Sequence, residues 1–308
     1  MTILLNADGH EHGQWCAAIK TYLPAHDIVQ YPYVPDVAAI DYALIWNHPD
    51  GDLDNYPNLR AVFSLGSGVD YLDRFLTLPD APIFRLVDPS MAQDMAHYVL
   101  YWTLHYQRAF ETYRLQQQRA QWASRSAPRA SEFTVSLLGL GAIGSHIAKT
   151  LAASGFTVLG WSRSPKALDG VVCRHGEQGL ASVLSEADLL VCCLPLTPKT
   201  DGFLDVSILS SLRRGAVVVN VSRGAVMNEA DLLSGLDSGH ISGAVLDVFS
   251  VEPLPAESSL WTHPNIHITP HISGATGPGT AMQIIARQIA DFERGILPPH
   301  PYLRETPC

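Results

Sequence analysis

The sequence predicts an α/β protein of two doubly wound parallel sheets, one of them discontinuous along the chain. Two observations carry this reading. Short apolar runs alternate with stretches of helical periodicity through most of the 308 residues, the pattern of successive β–α–β units. One of those runs, residues 135–138, enters Gly139-Leu140-Gly141-Ala142-Ile143-Gly144 and then a helical repeat through Ile147, Ala148 and Leu151. That is a G-x-G-x-x-G turn between a strand and a helix.

In the first third, strands are expected at residues 2–6, 28–31, 42–46, 60–64 and 83–86, with a helix over 14–22. Residues 91–121 contain neither proline nor glycine and read as one long helix. Past the glycine turn, strands are expected at 157–162, 189–194, 216–221, 243–247 and 266–269, with helices over 180–185 and 229–239. With the strand before the turn these make six, the count of a Rossmann sheet. Gly176-Glu177-Gln178-Gly179 reads as a polar loop. A last helix near 280–294 carries Ile284, Ile285, Ile289 and Phe292 and is expected to return to the first domain. The tail after it holds Pro298, Pro299, Pro301 and Pro307 and is not expected to extend a sheet. The expected division is a discontinuous, flavodoxin-like domain of residues 1–94 plus 277–308 and a Rossmann-like nucleotide-binding domain of 95–276.

Bulk composition narrows the partners. Hydrophobic residues at 47% and charged residues at 16% exclude a disordered chain. The net charge of −10 argues against nucleic acid or an anionic membrane surface. No stretch approaches the length of a membrane span, and the N-terminal residues lack the basic start of a signal peptide. Cys16, Cys173, Cys192, Cys193 and Cys308 are odd in number and show no C-x-x-C spacing. Reduced thiols in a cytoplasmic protein are expected, and no metal.

Each glycine of the turn has its own task. Gly139 permits the tight turn, Gly141 lets the backbone approach a pyrophosphate, and Gly144 lets helix and strand pack closely. The helix N-terminus offers unpaired N–H groups and partial positive charge to the phosphates. A fold that binds NAD places a carboxylate about 20 residues past the first glycine, on the ribose 2′-hydroxyl. Here that place reads Gly160-Trp161-Ser162-Arg163-Ser164-Pro165, with no carboxylate. Arg163 and the hydroxyls of Ser162 and Ser164 suit a 2′-phosphate instead, with Lys166 as a further cation. NADPH is the expected cofactor, NADH the second choice.

Four later segments occur in order: Leu194-Pro195-Leu196-Thr197-Pro198-Lys199-Thr200, Asn220-Val221-Ser222-Arg223-Gly224, Leu246-Asp247-Val248-Phe249-Ser250-Val251-Glu252-Pro253 and Thr269-Pro270-His271-Ile272-Ser273-Gly274. Together they resemble the D-isomer-specific 2-hydroxyacid dehydrogenases, and Gly66-Ser67-Gly68-Val69-Asp70 resembles the substrate loop of that family. The resemblance runs from the first strand to the last helix. It makes the 1–94 plus 277–308 domain the substrate domain and implies reduction of small 2-keto acids to D-hydroxy acids. It also implies a homodimer.

The resemblance assigns roles. Arg223 would clamp the substrate's carboxylate and carbonyl oxygen, His271 would act as general acid and base, and Glu252 would orient the imidazole. Leu140 to Ile143 would lie along the pyrophosphate, Ser162 and Arg163 at the adenosine ribose, and Pro195 and Thr200 on the next loop. Asp247 would bind the nicotinamide carboxamide, with backbone near Val221, Ser222 and Gly274. The amides of Ser67 and Gly68 would form an anion nest for the substrate carboxylate. Trp46 either walls the pocket or packs in the core. A walled pocket fed by an anion nest suits short polar substrates, glyoxylate and hydroxypyruvate first. Two positions depart from the family's commoner pattern, Ala96-His97 and Ser250-Val251, where acidic residues are more usual. A different class of function is a dinucleotide-sensing, corepressor-like binding protein of the same fold. Extra peptide-binding segments would mark it, and the sequence shows none.

Overall fold

The computed structural model describes residues 1–7, 11–73 and 75–303; Pro307 and Cys308 lie outside them. The chain forms two compact units, Met1–Met91 with Thr276–Cys308, and Ala92–Ala275.

In the first unit, β1 (Thr2–Ala7), α1 (His12–Tyr22), β2 (Asp27–Gln30), β3 (Ile40–Trp46), β4 (Ala61–Ser64), the single turn α2 (Asp70–Asp73) and β5 (Ile83–Phe84) follow one another. The strands pair in parallel in the order β2-β1-β3-β4-β5, the flavodoxin-like winding. The central strands are apolar on both faces because both faces are covered. Leu5, Leu44 and Phe63 pack with Trp15 and Ile19 of α1, while Leu4, Ile45 and Val62 pack with Leu53 and Leu72 on the other side.

The second unit opens with α3 (Pro89–Gln107), most of which belongs to it, and α4 (Phe110–Gln118). Then come β6 (Thr134–Leu138), α5 (Ala142–Ala153), β7 (Thr157–Ser162), β8 (Val172–His175), α6 (Gly176–Ser185), β9 (Leu189–Cys192), α7 (Val206–Ser210), β10 (Ala216–Asn220), α8 (Glu229–Asp237), β11 (Ile241–Leu246) and β12 (Ile266–Ile268). All are parallel, in the order β12-β11-β10-β9-β6-β7-β8. The winding reverses between β6 and β9, so the glycine turn after β6 sits at the switch point where such sheets bind ligands. The final helix α9 (Pro278–Glu293) puts Ala281, Met282, Ile285 and Ile289 into the core of the first unit.

Four expectations are corrected. The sheet of the second unit has seven strands, not six. The missed β8 is an edge strand whose Val172 is 42% exposed, so it carries no buried apolar run to mark it. Gly176 to Gly179 form the first turn of α6 rather than a loop. The tail does extend a sheet edge, through an antiparallel bridge between Pro301 and Phe84. Its hydrogen bonds run from Tyr302 N to Ile83 O at 2.8 Å and from Arg85 N to His300 O at 3.0 Å, so the missing N–H of Pro301 is never asked for.

The fourth correction concerns the long helix, which breaks at Ala109. That residue takes left-handed angles, φ 53° and ψ 42°, between α3 and α4. Helix propensity is good throughout, but packing is not. Met95, Ala96, Val99 and Trp102 of α3 enter the core, whereas α4 buries nothing. An alanine in this conformation costs about 1–2 kcal/mol that glycine avoids. Ala109→Gly is therefore expected to melt at or above the parent temperature and Ala109→Val clearly below it. Were the helix continuous, glycine would instead cost about 1 kcal/mol. Thermal melting of the two variants decides.

Candidate active site

At the end of β6 the three glycines are spaced by contact. Gly139 has φ 96° and donates to Trp161 O at 2.9 Å; a Cβ there would stand 2.6 Å from Cys193 O. A Cβ on Gly144 would stand 1.9 Å from Gly139 O, so α5 leaves the turn with no space between them. Gly141 differs, because nothing lies within 4 Å of where its Cβ would be. The first intrahelical bond is Ser145 N to Gly141 O at 2.9 Å, which leaves the N–H groups of Ala142, Ile143 and Gly144 at the helix mouth. Lys166 Nζ donates to Leu140 O at 2.6 Å, adding a cation beside them. Open space, converging N–H groups and positive charge fit a dinucleotide pyrophosphate.

Neighbouring strand ends continue the same edge. Ser162 is buried and donates its hydroxyl to Ser164 O at 2.7 Å, while Arg163, Ser164 and Lys166 lie exposed. After β9, Thr200 Oγ1 donates to Pro195 O at 2.5 Å and accepts from Thr197 N at 2.8 Å, so its hydroxyl shapes the loop that carries Pro195.

Past β10, the side chain of Asn220 is wholly buried and staples the next turn. Its Oδ1 accepts from Ser222 N at 3.1 Å and Ser222 Oγ at 2.8 Å, and its Nδ2 donates to Arg223 O at 3.1 Å. Val221 and Ser222 are buried, and Arg223 is half-buried. A Cβ on Gly224 would fall 1.8 Å from the carbonyl carbon of Phe249, so this turn is pressed against the segment that carries Glu252.

His271 follows β12 in a left-handed conformation, φ 54°. Its Nδ1 lies 2.8 Å from Glu252 Oε2, and Glu252 Oε1 accepts from Phe249 N at 2.9 Å. Burial pushes the Glu252 carboxyl up, but the hydrogen bonds from His271 and Phe249 and the charges of His271 and Arg223 outweigh it. The carboxyl is held below its ordinary range. Arg223, Glu252 and His271 thus form one electrostatic group. The turn bearing His271 is itself held by Asp247, which is fully buried after β11. Asp247 Oδ1 accepts from Thr269 Oγ1 at 2.6 Å and Ile272 N at 2.9 Å, Oδ2 from Ser273 N at 2.9 Å, and its carbonyl from His271 N at 2.8 Å. A carboxylate accepts about four bonds, so one acceptor site is left beyond these three. Gly274, half-buried, follows directly. Of the two departures from the family pattern, His97 pairs with Gln93 at 2.7 Å, and Gln93 Oε1 in turn lies 3.0 Å from His146 Nε2.

In the first unit, Trp46 is half-buried at the end of β3 with its indole across Gly66, where a Cβ would stand 2.2 Å from the ring. Ser64 Oγ donates to Gly66 O at 2.8 Å and fixes the turn into Ser67 and Gly68, both half-buried. Arg85 Nη2 donates to Ser67 O at 3.0 Å and places a cation at that loop. Arg85, Asn220 and Thr269 were missed by sequence reasoning. Asn220 and Thr269 did leave a trace, as the first residues of the segments that carry Arg223 and His271; Arg85 left none.

The profile of the D-isomer specific 2-hydroxyacid dehydrogenase NAD binding domain matches residues 100–273. Glyoxylate/hydroxypyruvate reductase A of Yersinia enterocolitica is 38% identical over 301 residues, 96% of each chain. A D-isomer specific 2-hydroxyacid dehydrogenase from Xanthobacter autotrophicus Py2, solved with NADPH and MES, superposes with a TM-score of 0.93 at 39% identity over 98% of both chains. The NADPH-dependent glyoxylate/hydroxypyruvate reductase of Sinorhizobium meliloti, solved with NADP and sulfate, also reaches 0.93, at 33% identity over 98% of both chains. The chain belongs to the D-isomer specific 2-hydroxyacid dehydrogenase family. It is an NAD(P)-dependent oxidoreductase, and among the described residues no helix is long and apolar enough to cross a membrane.

Asp247→Asn tests the buried staple. An amide nitrogen turned towards a former donor leaves a buried N–H unpaired, a loss of about 1–3 kcal/mol. The expected outcome is a lower melting temperature with faster hydrogen exchange at Ile272 and Ser273. Unchanged exchange would show that Asp247 does not hold the turn.

Proposed function

We propose that this enzyme reduces small 2-keto acids, glyoxylate and hydroxypyruvate foremost, with NADPH as cofactor. One observation carries the reading: a histidine backed by an ionised carboxylate, with an arginine charge acting on the same carboxylate, on the ligand-binding edge of a dinucleotide sheet. The names and bound cofactors of relatives that align over nearly the whole chain support it. They do not favour the sensor reading.

The bound dinucleotide supplies the hydride. Leu140, Gly141, Ala142 and Ile143 would hold its pyrophosphate by backbone, with Gly139 and Gly144 shaping the turn; Arg163 and Ser164 would take the 2′-phosphate, and Ser162, whose hydroxyl is given to Ser164 O, shapes the turn that presents them. Pro195 and Thr200 flank the cofactor, while Asp247, Val221, Ser222 and Gly274 receive the nicotinamide end. Arg223 holds the keto acid's carboxylate and carbonyl oxygen with its fork of donors, which fixes the carbon to be reduced. His271 gives a proton to the carbonyl oxygen through Nε2, since its Nδ1–H is engaged by Glu252. The ionised Glu252 stabilises the imidazolium and holds the ring in place. In the first unit, the amides of Ser67 and Gly68 suit a carboxylate, and Trp46 lies across Gly66 beside them.

A homodimer and a cytoplasmic setting complete the proposal. Tyr101 and Phe110 are 59% and 49% exposed, apolar surface suited to a second copy, and Cys16, Cys173, Cys192 and Cys193 are free thiols.

The test is the oxidation of NADPH and of NADH with glyoxylate, hydroxypyruvate and pyruvate in turn, followed by absorbance. Turnover favouring NADPH with the first two substrates is expected; no oxidation with any keto acid would overturn the reductase. His271→Ala should lose about 10²–10⁴-fold in turnover while still binding NADPH. Arg163→Asp should move the cofactor preference towards NADH by about 10- to 100-fold, and an unchanged ratio would remove Arg163 from the 2′-phosphate. Glu252→Gln checks the carboxylate. It removes the ionised partner that lies 2.8 Å from Nδ1 and fixes the ring, so turnover should fall by about 10²–10⁴-fold with dinucleotide binding unchanged. Turnover like the parent's would show that Glu252 does not position the acid.

A further inference from the structure

We propose that His105, Glu111 and His267 form a binding site for a divalent transition-metal ion of the zinc class. They come from α3, α4 and β12, and each offers one ligand atom within 4.8 Å of the others. In an unbroken helix, residues 105 and 111 would lie about 120° apart around the axis and about 9 Å apart along it. The left-handed turn at Ala109 folds Glu111 back towards His105, and the edge strand brings His267 to both. Two imidazoles and a carboxylate are a donor set that zinc uses with its fourth position open. Bonds of about 2.0–2.2 Å need ligand atoms about 3.4 Å apart, so small side-chain rotations from the present separations would close the site.

The surroundings prepare these groups for an ion. His105 is 8% exposed, and its Nε2 is sealed from solvent without a hydrogen-bond partner among the described residues. A buried polar nitrogen in that state calls for an explanation, and an ion is one. His267 is half-buried beside His105, with its ring 5.2 Å from that of His105. Glu111 is kept ionised chiefly by hydrogen bonds from Arg114, whose Nε reaches both carboxylate oxygens at 2.9 Å. Arg114 Nη2 adds a second bond to Oε1 at 2.5 Å, so Oε2 is the oxygen with an acceptor position left for an ion. Trp102 lies 4.6 Å from the ring of His267 and 5.2 Å from that of His105, and Tyr106 lies 5.2 Å from His105. This aromatic wall limits access of water, as around other metal centres. A bound ion would tie the α3–α4 break to the strand that leads into Thr269 and His271.

The test uses the full-length, untagged protein, stripped with a chelator and then equilibrated with zinc chloride. Expected are one tightly held ion per chain, a melting temperature raised by several degrees, and, with cobalt(II) in place of zinc, a visible spectrum of a four- or five-coordinate nitrogen–oxygen site. Glu111→Gln and His267→Gln should each weaken binding at least tenfold and abolish the thermal shift, while far-UV circular dichroism and dinucleotide binding stay as in the parent. Affinity equal to the parent's in both variants would overturn the proposal. So would the absence of a retained ion, or a cobalt–thiolate band placing the ion on cysteines.

Discussion

Asp247 is a carboxylate with no exposure to water, held just past the end of β11. A charge in that position is tolerable only when donors replace its hydration. Here those donors are Thr269 Oγ1, Ile272 N and Ser273 N, which come from the few residues around His271. Compensating the buried charge and fixing the histidine turn are therefore one event. The left-handed backbone of His271 is unfavourable alone and persists because these bonds over-determine it. Asn220 acts likewise at the adjacent strand end, where its buried amide shapes the turn that presents Arg223. Two buried polar side chains on rigid strands thus aim two partly exposed catalytic candidates.

Parallel pairing explains why these turns share an edge. In a parallel sheet every strand ends on the same side, so the segments after β6, β7, β9, β10, β11 and β12 lie in a row. Where the winding reverses, between β6 and β9, the turns separate and leave room for a ligand. Close contacts keep that row compact. Gly139 meets Cys193, Gly144 meets Gly139, and Gly224 meets Phe249, each without space for a side chain. Gly141 alone of the four has open space at its Cβ position, and it is the one at the helix mouth.

Much of this was legible without coordinates. The strands over 157–162 and 216–220 were marked by apolar runs, and the glycine turn by its spacing. The motifs around Arg223, Glu252 and His271 carried the family. Illegible were features whose cause lies in another part of the chain. β8 pairs only with β7 and has little burial to reveal it. The bridge at Pro301 depends on what lies beside the edge of β5. The break at Ala109 follows from where the core ends under α3, since the local sequence favours helix on both sides.

The sequence by itself determined the fold class and the family and put forward the candidate site residues, because all three rest on local patterns: apolar periodicity, glycine spacing and short motifs at strand ends. Only the tertiary structure decided how those residues are held. That Asp247 spends three acceptor positions on the His271 turn, that Thr200 is tied within its own loop, and that His105, Glu111 and His267 meet are facts of distance between segments remote in the chain or turned towards one another by packing. Buried polar groups take whichever partner the packed core brings within reach, and no spacing rule along the chain encodes that choice.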